Sequence, residues 1–100
     1  MSDKLVPRSF ASNMASFCLP RTGIGRYVRL LADSYDESHD GRYITVKMTV
    51  LTDNAKEIPV TVLITGDHPP QGTISIREGG ASWEFACSYH GEDEWTIRPL

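Results

Sequence analysis

The chain has 100 residues, 40% of them apolar and 23% charged, with a formal net charge of −3; this suits one globular domain around a single core and argues against a disordered chain. No apolar run approaches the length of a membrane-spanning helix, and the first twenty residues lack the continuous apolar stretch of a secretory signal. Its two cysteines, Cys18 and Cys87, have no metal-type spacing and there is no N-x-S/T sequon, so nothing supports a secreted, disulfide-stapled protein and a cytoplasmic one is expected.

The bases Lys4, Arg8, Arg21, Arg26 and Arg29 share a stretch without acids, whereas acids outnumber bases from Asp33 onward. A basic, serine-containing start faintly resembles an organelle transit peptide, but Asp3, Pro7 and Pro20 argue against one. Phe10, Met14 and Phe17 recur at i, i+4 and i+7, with Ser9 placed to cap and Pro20 to stop, which predicts a short helix over 9–18. The next five residues, "LPRTG", spell the sortase sorting signal. Such a signal works only ahead of an apolar span and a basic tail, and "IGRYVRLLADSYDESHD" is neither. A turn over 19–23 is predicted instead, Pro20 preventing continuation and Gly23 permitting the bend. In "GRYVRLLADSY", Tyr27, Leu30, Leu31 and Ser34 have helical spacing while Val28, Leu30 and Ala32 alternate; a strand is preferred.

From Arg42 onward apolar and polar residues alternate, the period of a strand with one buried face. The buried sets are Ile44, Val46, Met48 and Val50; Ile58, Val60, Val62 and Ile64; Ile74 and Ile76; Trp83, Phe85, Cys87 and Tyr89; and Trp95 with Ile97. Loop lengths fix the register independently. A Gly79–Gly80 turn pairs Ile76 with Trp83, Leu51 pairs with Glu57 around a five-residue loop, and a loop of His90 to Glu94 pairs Tyr89 with Trp95. The expected fold is α+β and predominantly β: a single domain over 1–100, with a short N-terminal helix and a five- or six-stranded antiparallel meander over 24–100. One short helix is small cover for so large an apolar set, so the sheet is expected to curl, half-open or closed into a barrel.

In a meander alternate loops share one end. The segments "DSYDESHDG", "GDHPPQG" and "HGEDE" therefore share a rim that gathers His39, His68 and His90 with Asp33, Asp36, Glu37, Asp40, Asp67, Glu92, Asp93 and Glu94. The opposite end mixes Lys56, Arg77 and Arg98 with Asp53, Glu57 and Glu78. Charged loops by themselves keep a protein soluble. Their crowding at one end points further, to a small non-enzymatic binding module, an inhibitor or adaptor, that docks Asp36, Glu37, Asp40, Asp67, Glu92 and Asp93 on a basic surface of a nucleic-acid-handling protein. That end would repel nucleic acid itself, and no direct nucleic-acid or membrane binding is expected.

Other chemistry is less well carried. His39, His68 and His90 are ligand types that suit a metal, but they come from separate loops without the rigid spacing such sites use. Cys87 faces the expected core, Ser88 has no nucleophile-elbow motif around it, and no glycine-rich phosphate loop is present, so no catalytic residue and no cofactor are assigned. Trp83, Phe85, Tyr89 and Trp95 would line a small-molecule cavity if the strands closed into a wide barrel.

Overall fold

Alternation of apolar and polar residues builds the molecule. A computed structural model of the protein describes residues 7–37, 43–65, 71–91 and 94–100. It comprises α1 (Pro7–Thr22), β1 (Tyr27–Glu37), β2 (Tyr43–Thr52), β3 (Glu57–Thr65), β4 (Gln71–Glu78), β5 (Ala81–Gly91) and β6 (Glu94–Pro99). The strands form one six-stranded antiparallel sheet in sequential order, with β1 and β6 as its edges. The sheet is open, so the expected curl is not completed to a barrel. α1 lies on the face that carries Val46, Met48, Val50, Ile58, Val60, Val62, Ile74, Ile76, Phe85 and Cys87, and together they form the core.

The expected hairpin registers are found, although β5 and β6 pair on to Gly91 and Glu94 with His90 as an extra residue, so the expected five-residue loop from His90 to Glu94 is shortened by a bulge. Ile76 pairs with Trp83 and Ile74 with Phe85, Leu51 pairs with Glu57 and Met48 with Val60, and Tyr89 pairs with Trp95 and Cys87 with Ile97. Gly79 takes φ +58° at the first position of its two-residue turn, where a side chain would be strained. β1 explains why its sequence reads two ways. Register shifts between Tyr27 and Arg29 and between Leu30 and Ala32 leave Val28 and Leu31 as extra residues. Each bulge adds one residue to a period of two, so the residues facing the core, Tyr27, Leu30 and Asp33, fall three apart and mimic a helix.

The helix departs from its expected bounds. It starts at Pro7, so Ser9 lies within it rather than capping it, and it continues past Cys18 through Leu19, Pro20 and Arg21 to Thr22, so "LPRTG" is helix rather than turn apart from Gly23. A proline so close to the helix end removes one hydrogen bond, and burial outweighs that loss: Leu19 and, just beyond, Ile24 are buried. The Thr22 hydroxyl donates to the Leu19 carbonyl at 2.7 Å and accepts from the Ile24 amide at 3.1 Å, tying down the last turn. Gly23, at φ +80°, then reverses the chain. The buried stripe is Phe10, Ala11, Met14, Ala15, Cys18 and Leu19, while Phe17 is 43% exposed. Small residues let the helix approach the sheet, and Phe17 packs sideways on Trp95 with ring centroids 5.6 Å apart.

The β2–β3 turn clasps the chain that leaves α1. Asn54 Nδ2 donates to the Ile24 carbonyl at 2.8 Å, the Asp53 amide to the Arg26 carbonyl at 3.0 Å, and the Arg26 amide to Asp53 Oδ1 at 3.0 Å. Thr52, 2% exposed, organises the turn: its hydroxyl accepts from the Lys56 amide at 3.1 Å and donates to Asn54 Oδ1. Thr52→Val keeps the shape and removes both bonds. It is expected to cost about 1–3 kcal/mol in chemical denaturation, because the Lys56 amide loses its partner. A loss below about 0.5 kcal/mol would assign the turn's stability to its backbone bonds alone.

Candidate interaction surface

Sequential strand order places the ends of the β1–β2, β3–β4 and β5–β6 connections side by side. Tyr43 pairs with Thr65, Thr65 with Gln71, Gln71 with Ser88, and Gly91 with Glu94, while Glu37 faces Ile44 at the edge. With adjacent strands about 4.8 Å apart, this end is about 24 Å across. Of the acids expected there, Asp36 and Glu37 end β1 and are exposed, Asp36 opposite Thr45 on the outer face and Glu37 opposite Ile44 on the face that carries the core. Glu94 is also exposed there. Asp33 lies opposite Met48 on the core-bearing face and is partly buried. Asp40, Asp67, Glu92 and Asp93 lie outside the described residues, as do His39 and His68.

His90 is exposed, with Nε2 2.7 Å from Thr96 Oγ1 on the neighbouring strand. No three His, Cys, Asp or Glu side chains converge as metal ligands among the described residues. Beneath this end Phe10, Tyr89 and Trp95 form an aromatic cluster, with centroids 5.0 Å apart for Phe10–Trp95 and Tyr89–Trp95 and 6.5 Å for Phe10–Tyr89. The helix thus occupies the face where a barrel would have left a cavity.

α1 runs lengthwise along the sheet: Phe10 meets Tyr89 and Trp95, Cys18 meets Cys87, and Arg21 reaches Trp83 and Phe85. Its C-terminus therefore lies at the opposite end of the sheet, where the β2–β3 and β4–β5 turns are. There exposed Arg21 joins Arg26 and Arg29, which enter β1 near the β2–β3 turn. Lys56 at this end is paired with Glu78, Nζ to Oε2 at 2.7 Å. These bases add to an end that also carries Asp53, Glu57 and Glu78, so its charge is mixed, as expected from the sequence. An open cleft of about 420 Å³ lies beside Arg21, lined by Ser82, Trp83, Glu84, Phe85, Pro99 and Leu100. One cation against apolar walls favours an anionic, partly apolar group, and Glu84 in the same wall opposes it.

No helix of the described residues is long and apolar enough to cross a membrane. No protein-family model, no curated protein and no solved structure matches the chain.

Proposed function

We propose that this protein is a non-enzymatic binding module that docks its acidic end on a basic surface of another protein, of the kind that holds a nucleic-acid backbone. The observation that carries this reading is the order of the sheet, in which three acid-bearing connections join neighbouring strand ends while Arg21, Arg26 and Arg29 enter at the other end. Like charges about 8 Å apart in water repel by roughly 0.5 kcal/mol per pair, a cost that a basic partner reverses. A concentration of negative charge at one end, against mixed charge at the other, also orients the approach, so that the acidic end leads toward a positive surface. Nucleic acid would be repelled by the same end, which makes the module a competitor for a phosphate-binding surface rather than a ligand of phosphate. The small-molecule reading relied on a closed barrel, and the open sheet with α1 on its apolar face favours docking over it.

The test begins by capturing and identifying the partner from the native host, then measuring its affinity for the wild-type chain and for a variant with Asp36→Lys, Glu37→Lys, Asp67→Lys, Glu92→Lys and Asp93→Lys. Each reversal swings a screened attraction into a repulsion of similar size, so affinity should fall at least about 100-fold. Wild-type binding should also weaken as salt rises. Unchanged affinity in a folded variant would move the docking site away from this end, to the hydroxyl-rich outer face of Thr45, Thr49, Thr61 and Thr65 or to an edge strand.

A further inference from the structure

The two cysteines stand 69 positions apart in the chain, and both are buried, Cys18 on the stripe of α1 and Cys87 on the covered face of β5. Their Sγ atoms are 3.6 Å apart. Packing alone asks only for small apolar side chains at two such positions. Here the two thiols are turned toward each other across the contact between helix and sheet.

We propose that Cys18 and Cys87 are a dithiol redox site that closes to an intramolecular disulfide and locks α1 onto β5. The sulfurs must approach from 3.6 Å to the ~2.0 Å of a bond. With oxidised glutathione as oxidant, one protein thiolate attacks the glutathione disulfide, forming a mixed disulfide and releasing one reduced glutathione. The other protein thiolate then displaces the second. Two protein S–H bonds are lost and one S–S bond is formed; the two electrons and two protons leave in two molecules of reduced glutathione.

Either sulfur can donate the hydrogen bond between the two thiols, so either can be the attacking group. That bond holds the proton on its donor and favours the thiolate of its acceptor, while burial raises both pKa values and Arg21 lowers both. Burial also sets the kinetics: exchange with glutathione requires α1 to lift, so oxidation is slow in the folded chain and fast during folding. The redox poise of the surroundings thereby decides how firmly the helix that covers the core is held, whatever partner the acidic end meets.

The reduced full-length chain is incubated with excess oxidised glutathione, both folded and during refolding from denaturant. It is then unfolded and alkylated, weighed intact, sized by gel filtration and melted. The expected product is a monomer lighter by two hydrogens with no alkylated thiol, and dithiothreitol restores the reduced form. Its melting temperature should exceed that of the reduced chain by at least about 10 °C, because the bond closes a long loop in the unfolded chain. Oxidation during refolding should be at least about 10-fold faster than in the folded state. Cys87→Ala should carry at most one glutathione adduct and lose the redox-dependent shift. Thiols that remain alkylatable at equilibrium, disulfide-linked dimers, adducts on both cysteines, or an oxidised monomer that melts no higher than the reduced one would each overturn the proposal. The wild-type comparison needs no substitution, so it decides the matter even where Cys87→Ala fails to fold.

Discussion

Ile76→Ala is expected to remove about 2–5 kcal/mol of unfolding free energy, a large share of the ~5–15 kcal/mol that holds a domain of this kind folded. Ile76 is 0% exposed and sits in the middle of the core-bearing face, paired with Val60 on one side and Trp83 on the other. Truncation leaves a hole between two strands whose backbones are hydrogen-bonded on both sides, so the surroundings have little freedom to collapse into it. The melting temperature should fall by on the order of 15 °C. Ser75 and Arg77 flank Ile76 on the opposite face, and alanine at either should cost no more than about 0.5 kcal/mol. Comparable losses at all three positions would mean that the two faces of β4 are not distinguished by burial, and the register argument would lose its basis.

Gly72→Val is expected to cost about 1–3 kcal/mol by overpacking, in spite of the better strand propensity of valine. Gly72 pairs with Ile64 and with Cys87 on the covered face. A Cβ placed there would lie 3.0 Å from the Leu63 carbonyl oxygen, 3.1 Å from Met14 Cε and 3.2 Å from Met14 Sδ. The backbone oxygen has little room to yield, whereas the Met14 side chain can be shortened. Met14→Ala alone should cost about 2–5 kcal/mol through the cavity it leaves. Combined with Gly72→Val it should cost at least about 1 kcal/mol less than the sum, since the valine then fills part of that cavity. Strict additivity, measured by denaturant titration of the four chains, would show that Met14 does not set the space at Gly72.

These two sites divide between what was readable early and what was not. The faces and registers of β2 to β6 were open to the sequence alone, because alternation is a property of neighbouring residues and a short hairpin loop transmits register without reference to the rest of the chain. The shared end of the acid-bearing connections followed from the same reasoning, through strand order. Of its members, only Asp36, Glu37 and His90 among the assigned site residues lie within the described residues. The link between His90 and Thr96 depends on side-chain placement that no pattern encodes.

Tertiary contact decided the rest. The helix passes Pro20 because Leu19 and Ile24 gain burial against the sheet, which local propensity does not count. Its buried stripe passes through Ala11, Ala15 and Cys18 instead of Phe17, because closeness to the sheet rewards small residues. Val28 and Leu31 bulge out of β1 where the edge strand adjusts to β2 along its length, and this disguised a strand as a helix. The lengthwise direction of α1 sent Arg21 to the end opposite the β1–β2 connection and set Cys18 against Cys87. Periodicity and turn chemistry act over a few residues, so the sequence by itself determined the meander and its faces. How far the helix extends, whether the sheet closes and which distant side chains meet depend on burial summed over the whole chain, and only the folded structure decided them.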